Sequence, residues 1–222
     1  MEIGSREWQR LVIDGARKLG IEIDESVVAA FSVHAFELVK WNRKINLTSI
    51  TQPREIAIKH FVDSLVPAPF IPENARLLDI GSGGGFPGIP LKILKPSLSV
   101  VLIDSARKKA NFLKHVLRSL KLERIEAHQV RAENLHENPA FSNSFDVVIS
   151  RALSSLELFA RMAMPLLAAH GAIIALKGEV DQIELDQLRS NASLDCKPIE
   201  IKNYRLPSIY ARRSLVVMRL SG

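Results

Sequence analysis

The feature that most constrains this chain is a glycine-rich loop that follows a short apolar run. The run Leu77-Leu78-Asp79-Ile80 leads into Gly81-Ser82-Gly83-Gly84-Gly85-Phe86-Pro87-Gly88, in which five of eight residues are glycine, and a helical pattern follows. Glycine reaches positive φ without strain and lets a ligand approach the backbone closely. A strand that passes into a helix through such a loop is the first unit of a nucleotide-binding α/β domain. The loop therefore predicts an α/β fold with a ligand site at this point.

The spacing of the glycines indicates which ligand the loop binds. Gly81, Gly83 and Gly85 form G-x-G-x-G rather than the G-x-G-x-x-G/A of dinucleotide-binding enzymes, although Gly88 leaves some ambiguity. Pro87 and a second proline two residues beyond Gly88 restrict the chain where a pyrophosphate-binding helix would begin. We interpret the loop as a site for an adenosyl ligand without a pyrophosphate, which indicates S-adenosylmethionine. A glycine-rich turn that binds no ligand is the alternative.

Length and composition favour a soluble cytoplasmic protein. The 222 residues suffice for one α/β domain and an appendage, and no stretch reaches the roughly 18 uninterrupted apolar residues of a membrane span. Residues 1–7 lack the basic-then-apolar form of a signal peptide. The single cysteine, Cys196, excludes an internal disulfide and a cysteine metal cluster. We expect a monomer that needs neither a metal nor a membrane.

The hydrophobic pattern divides the chain into an N-terminal helical region, residues 1–70, and a Rossmann-like domain, residues 71–222. Helical periodicity predicts helices over 5–19 and 25–44 and a third from Pro53 to Leu65. Strands and helices then alternate. The predicted strands are 76–80, 99–104, 124–130, 145–150, 171–177, 197–203 and 214–220, and the predicted helices are 88–95, 106–121, about 154–168 and about 179–190.

The two last strands are separated by a loop with no helical pattern, which predicts a hairpin rather than another crossover. The predicted fold is therefore α/β and Rossmann-like, the class I fold of S-adenosylmethionine-dependent methyltransferases. We expect a mainly parallel seven-stranded sheet with one antiparallel edge strand and an N-terminal helical extension.

Two acids lie where this fold binds ligands. Asp104 ends the second strand, 23 residues beyond Gly81, where an acceptor for ribose hydroxyls is expected; its alternative role is to cap the next helix. Asp79 ends the first strand and needs polar partners if it is buried. It could accept hydrogen bonds from amides of the glycine loop, or act through water on the ligand's amino group.

The segment after strand three is a candidate for contact with the ligand, and the segment after strand four indicates the kind of methyl acceptor. Residues 130–134, which include Ala132 and Glu133, could contact an adenine edge, or form a solvated turn. Arg151 follows strand four, at the ligand-binding edge of the sheet. This point lacks the proline-rich tetrapeptide of many amine methyltransferases, and no cysteine lies near a strand end to attack a pyrimidine. An acceptor that is already nucleophilic, such as guanine N7, needs neither feature.

The basic residues indicate a polyanionic partner. The net charge is +6, and residues 1–70 carry nine basic and nine acidic side chains, so the excess lies in residues 71–222. One cluster, which includes Lys108, lies on the predicted helix 106–121, where a solvated face is the alternative. The other, the acid-free stretch 202–213, contains Arg212 and Arg213 and is interleaved with Tyr204 and Tyr210, which suggests RNA contact through base stacking and phosphates.

Seven motifs follow one another along the chain. They are Trp41-Asn42, Asn46-Leu47-Thr48, His60-Phe61-Val62-Asp63-Ser64, the loop from Gly81 to Pro90, Asp104-Ser105, Ser150-Arg151-Ala152 and Ala175-Leu176-Lys177-Gly178. In their joint order these motifs resemble those of the bacterial 16S rRNA guanine-N7 methyltransferases, the RsmG or glucose-inhibited division protein B family. The resemblance covers nearly the whole chain.

The resemblance implies S-adenosylmethionine as methyl donor and a guanosine in the decoding region of small-subunit rRNA as acceptor. By position it implies ligand contacts at Gly81, Phe86, Ala132, Glu133 and Arg151. It also makes Asn46, His60, Lys177 and Arg213 candidates for contact with RNA or the acceptor base. His60 is equally consistent with a structural role.

The predicted reaction is direct in-line methyl transfer to guanine N7 without a general base, with Arg151 and Lys177 as the candidate catalytic residues. The partner is 16S rRNA or the small ribosomal subunit. Two other readings remain open: a methyltransferase for a small molecule, and a non-catalytic RNA-binding protein that retains the ligand loop.

Overall fold

The computed structural model describes residues 1–151, 155–191, 194 and 196–220. The N-terminal region is helical: α1 (Arg6–Lys18), α2 (Glu25–Ile45), α3 (Pro53–Glu55), a π-helical segment (Ile56–Val62) and α4 (Asp63–Leu65). Ser5 caps α1 because its hydroxyl accepts a hydrogen bond from the amide of Trp8 at 3.2 Å. Trp8 in turn donates from Nε1 to the carbonyl of Pro53, which ties α1 to the third helical segment.

Seven strands form one twisted sheet in the order β3-β2-β1-β4-β5-β7-β6. They are β1 (Arg76–Ile80), β2 (Ser99–Asp104), β3 (Ile125–Gln129), β4 (Phe145–Arg151), β5 (Leu167–Lys177), β6 (Cys196–Arg205) and β7 (Arg212–Leu220). The strands from β1 to β5 pair in parallel, and β7 pairs antiparallel with β5 and with β6 at this end of the sheet. The predicted mainly parallel seven-stranded sheet is confirmed.

Helices cover both faces of the sheet. The helices α5 (Gly88–Leu94) and α6 (Arg107–Ser119) pack on one face, and α7 (Leu156–Ala163) and α8 (Gln182–Ser190) pack on the other. Leu77 of β1 faces the first layer and Leu78 the second, as the two-residue period of a strand requires. The N-terminal helices share one continuous hydrophobic cluster with α5 and α6, so this region lies against the first layer.

Most predicted element boundaries agree with the structure within three residues, and the exceptions have local causes. The helix predicted to end near residue 168 stops at Ala163, because Pro165 has no amide hydrogen to continue it and β5 already begins at Leu167. The predicted start of β5 at residue 171 is therefore wrong. The helix predicted from about residue 179 lies at the limit of this margin, since it begins at Gln182, where Asp181 caps it. The start of the helix predicted from residue 154 lies outside the described residues.

Among the described residues, no helix combines the length and the apolar character required to cross a membrane.

Candidate active site at the carboxyl edge of the sheet

The glycine loop turns the chain sharply between β1 and α5. Gly81, Gly83 and Gly85 have φ values of +71°, +56° and +89°, a region that favours glycine. A Cβ atom on Gly81 would meet nothing within 4 Å, so the backbone there is open to a ligand. Gly85 instead faces inward, because a Cβ atom would lie 2.5 Å from Cδ1 of Ile89. Only part of the loop is therefore available for contact with a ligand.

Asp79 holds the far end of this loop. The residue is fully buried, and its Oδ2 accepts a hydrogen bond from the amide of Gly88 at 2.9 Å. Its Oδ1 has no hydrogen-bond partner among the described residues. Burial raises the pKa of Asp79 to about 7. Of the two roles predicted for Asp79, the structure therefore has the hydrogen bond with a loop amide. Gly88 is also the first residue of α5, so its amide is not free to bind a pyrophosphate.

Asp104 connects the loop to the end of β2. Its Oδ2 accepts a hydrogen bond from the amide of Gly83 at 3.1 Å, and its Oδ1 accepts one from Ala106 at 2.8 Å. Ala106 is the N-cap of α6, and no side chain caps that helix. The alternative role of Asp104 as helix cap is therefore not what the structure shows. A carboxylate offers about four lone-pair sites, so two remain for a ligand.

A cavity of about 430 Å³ opens beside Gly81 and Asp104. We call it the first cavity. It lies at the carboxyl ends of β1, β2 and β4, where ligands bind in open α/β sheets. Its wall consists of Ile80, Gly81, Ile103, Asp104, Ser105, Lys109, Val130, Arg131, Ala132, Glu133, Ser150, Arg151 and Met162. Five of the predicted ligand contacts therefore share one cavity: Gly81, Asp104, Ala132, Glu133 and Arg151.

Arg151 lies against the N-terminal helical region. Its Nη1 donates a hydrogen bond to the carbonyl of Lys59 at 2.9 Å, and its Nη2 donates to Nδ1 of His60 at 3.1 Å. The guanidinium also lies 5.0 Å from the ring centre of Phe86. The helical region thus fixes the position of a side chain that ends β4.

His60 is a neutral acceptor in this arrangement. Since arginine can only donate, Nδ1 of His60 accepts, and the protonated Nε2 donates a hydrogen bond to Oγ1 of Thr48 at 3.0 Å. Burial, followed by the charge of Arg151, holds the pKa of His60 well below its usual range. The ring also stacks on Phe86 at 4.5 Å. His60 therefore orients Arg151 and carries no charge near neutral pH.

A second cavity of about 330 Å³ is also lined by Arg151. It is lined by Ile50, Lys59, His60, Asp63, Arg151, Leu176, Lys177, Gly178 and Arg213. Lys177 forms an ion pair with Glu184 of α8, and Nε of Arg213 lies 3.5 Å from Oδ2 of Asp63. The predicted residues His60, Arg151, Lys177 and Arg213 thus meet in this cavity, although they come from four separate elements.

The other predicted residues lie outside both cavities. The ring of Phe86 is buried between His60 and His34 and does not line either cavity. Asn46 is exposed at the end of α2, and Lys108 is exposed on α6. Arg212 is exposed and pairs with Glu179 at 2.9 Å. Ala152, the last residue of one predicted motif, lies outside the described residues.

The sequence reasoning gave no separate role to Asp63 or His34, and it placed Tyr204 in a basic stretch suited to base stacking on RNA. Asp63 lies within a motif of the resemblance, but its partner Tyr204 is 141 residues away, and the tyrosine hydroxyl donates to Oδ1 of Asp63 at 2.7 Å. His34 is fully buried and donates from Nε2 to the carbonyl of Gly84 at 2.7 Å. A polar residue on the apolar face of α2 was the signal that could have identified His34.

A mainly parallel sheet in this order, a glycine loop after β1, an acid that ends β2 and a cavity at the carboxyl edge define a Rossmann-like methyltransferase. A structure of a SAM dependent methyltransferase from Aquifex aeolicus has this fold, with a TM-score of 0.58 at 17% identity, and the match covers 79% of this chain and 97% of that one. No group of three histidine, cysteine or acidic residues in the described part of the chain could hold a metal ion.

The chain belongs to the family described as GidB, rRNA small subunit methyltransferase G, whose model matches residues 28–214. It is 44% identical to the Ribosomal RNA small subunit methyltransferase G of Geobacter metallireducens over 216 residues, 96% of each chain. The protein of the same name from Geobacter sulfurreducens is 43% identical over 208 residues, which cover 93% of this chain and 95% of that one.

Proposed function

We propose that this protein transfers a methyl group from S-adenosylmethionine to N7 of one guanosine of 16S rRNA, in a loop of the decoding region. The observation that carries the proposal is that two cavities at the carboxyl edge of the sheet share one side chain, Arg151. A donor in one cavity and an acceptor base in the other then meet at this residue. The names of the curated relatives support rRNA as the substrate.

The residues of the first cavity suit S-adenosylmethionine, which supplies an electrophilic methyl group on a sulfonium. Asp104 retains lone pairs for the ribose hydroxyls, and the segment with Ala132 and Glu133 suits an adenine edge. Gly81 leaves space for the part of the ligand that lies over the loop. The donor needs no pyrophosphate site, and the first amide of α5 is already bound to Asp79.

The second cavity suits a purine that has left its stack. Its volume falls in the range of about 300–1,000 Å³ that small-ligand pockets occupy. Arg151 uses two of its five N–H donors on Lys59 and His60, so others remain for the acceptor base. Lys177 and Arg213 also line the cavity and stay candidates for contact with RNA phosphates, although Lys177 already pairs with Glu184 and Arg213 with Asp63. The base reaches this position from a loop or by flipping out.

The transfer requires alignment rather than proton abstraction. Guanine N7 carries an exposed lone pair, so it attacks the methyl carbon directly while the carbon–sulfur bond breaks, and positive charge passes from sulfur to the purine. His60 is unsuited as a general base because both of its ring nitrogens are engaged. The contribution of the protein is then to hold donor and acceptor in line and to provide an environment suited to the moving charge.

Two basic surfaces suit the rest of the RNA. Arg107, Lys108, Lys114, Arg118 and Lys121 are exposed on or beside α6, whose sequence contains no acid. In the second cluster, by contrast, Arg212 and Arg213 already pair with Glu179 and Asp63. The α6 surface therefore has at least as strong a case for phosphate contact as residues 202–213, which the sequence alone favoured.

Incubation of the protein with labelled S-adenosylmethionine and 16S rRNA, either free or in small subunits, tests the proposal. We expect label in RNA, recovered as 7-methylguanosine at one site. Label in a small molecule but not in RNA would support a small-molecule methyltransferase. Binding of RNA with no transfer in any form would support a non-catalytic RNA-binding protein.

A further inference from the structure

The second cavity contains one buried carboxylate that the proposed transfer does not use. Asp63 is only 2% exposed, yet it lines the cavity. It is the one carboxylate among the described residues of that wall, which also contains Lys59, Arg151, Lys177 and Arg213. The two lysines pair with Glu55 and Glu184 outside the cavity. The polar character of the cavity interior is therefore set by Asp63 and the two arginines.

Asp63 has hydrogen-bonding capacity that the protein does not fill. Its Oδ1 accepts from the hydroxyl of Tyr204 at 2.7 Å, and its Oδ2 lies 3.5 Å from Nε of Arg213. A carboxylate has about four lone-pair sites, so about one remains on each oxygen. Tyr204 and Arg213 also fix the orientation of the carboxylate. A ligand with two adjacent N–H donors would complete this group.

We infer that Asp63 reads the Watson–Crick edge of the target guanine and so determines which base is methylated. This inference rests on the proposed function of the second cavity. The N1–H and N2–H groups of guanine are adjacent donors that match the two free positions on the carboxylate, and flipped bases are commonly read along this edge. N7 lies on the opposite side of the purine and stays free to face the donor.

The same arrangement disfavours adenine. Adenine presents a bare N1 acceptor along its Watson–Crick edge, and this lone pair would face the lone pairs of Asp63. A buried acceptor that faces another acceptor loses its hydrogen bond and its hydration together. Arg151 can add to the preference by donating to O6 of guanine, a position where adenine has a donor.

The test combines one atom change in the RNA with one atom change in the protein. Inosine at the target position keeps N7 and N1–H but lacks the 2-amino group. We expect the wild-type protein to transfer methyl to inosine at least about tenfold more slowly than to guanosine, as expected for the loss of one hydrogen bond to a charged group. Asp63→Asn should slow transfer to guanosine and reduce the guanosine-to-inosine ratio toward one.

Tyr204→Phe is the matched control, since it removes a partner of the carboxylate but keeps the carboxylate. We expect this variant to retain the ratio even where its absolute rate falls. A ratio in Asp63→Asn equal to the wild-type ratio would assign Asp63 a merely structural role and overturn the inference. Equal wild-type rates on inosine and guanosine would overturn it without any variant. No wild-type transfer to guanosine would instead contradict the proposed function itself.

Discussion

The buried carboxyl of Asp79 makes the stability of the ligand-free protein depend on pH, and Asp79→Asn should remove that dependence. Asp79 is fully buried, and one of its oxygens has no partner among the described residues. Burial raises its pKa to about 7, against 3.8 for the ordinary group. Asparagine keeps the size of the side chain and can still accept the hydrogen bond from Gly88 through its carbonyl oxygen.

The sign of the effect follows from the direction of the shift. A carboxyl whose pKa is raised by folding binds its proton more tightly in the folded state. Its contribution to stability is complete below the unfolded value of 3.8 and is lost as the pH rises through about 7. Between about pH 5 and pH 8 the loss accumulates only up to the folded pKa of about 7, which is about two pH units. At about 1.36 kcal/mol per unit, the free energy of unfolding falls by roughly 3 kcal/mol.

Urea unfolding of both proteins at these two pH values measures the effect. We expect the free energy of unfolding of Asp79→Asn, relative to the wild-type protein, to increase by roughly 3 kcal/mol from the lower to the higher pH. Asp186→Asn, at an exposed position on α8, serves as the control and should show a constant difference. A constant difference for Asp79→Asn as well would mean that Asp79 is ionised throughout this range, and the reasoning from its burial would be refuted.

Two further predictions concern ligand and RNA binding. Gly81→Arg should abolish binding of S-adenosylmethionine, because the new side chain would occupy the open space beside the first cavity; calorimetry that gives an unchanged affinity would remove the donor from this loop. Changing Arg212 and Arg213 together to alanine should weaken RNA binding, and the salt slope of the affinity should fall by up to about two phosphate contacts, with donor binding intact. The same pair of measurements on Lys108→Ala with Lys114→Ala tests the α6 surface, and an unaltered slope in either case would mean that those side chains do not contact RNA phosphates.

The local parts of the site could be predicted from the sequence. The glycine loop is determined by backbone conformation, and the positions of Asp79 and Asp104 are determined by where the strands end. Backbone conformation and strand ends both leave a signal in the sequence. The strands β1 and β2 were predicted with the bounds that the structure has. These elements are defined by continuous apolar runs, which buried parallel strands require.

The parts of the site that depend on distant contacts could not be predicted in the same way. The sequence marks Tyr204 as a residue of a basic stretch, whereas in the structure its hydroxyl binds the buried Asp63, 141 residues away. Arg151 was predicted at the sheet edge, but its contacts with Lys59 and His60 depend on how the helical region packs. The π-helical turn over Ile56–Val62, which contains both of these residues, has no signal in the apolar periodicity.

Substitution of a single atom in the RNA tests the central claim most directly. Replacing the target guanosine by 7-deazaguanosine removes the nucleophilic nitrogen and keeps the shape and the Watson–Crick edge of the base. The proposed transfer to N7 predicts no methyl transfer to this RNA from labelled S-adenosylmethionine, while RNA affinity stays close to that of the unmodified substrate. Transfer at the normal rate would show that the acceptor is another atom and would contradict the proposed mechanism.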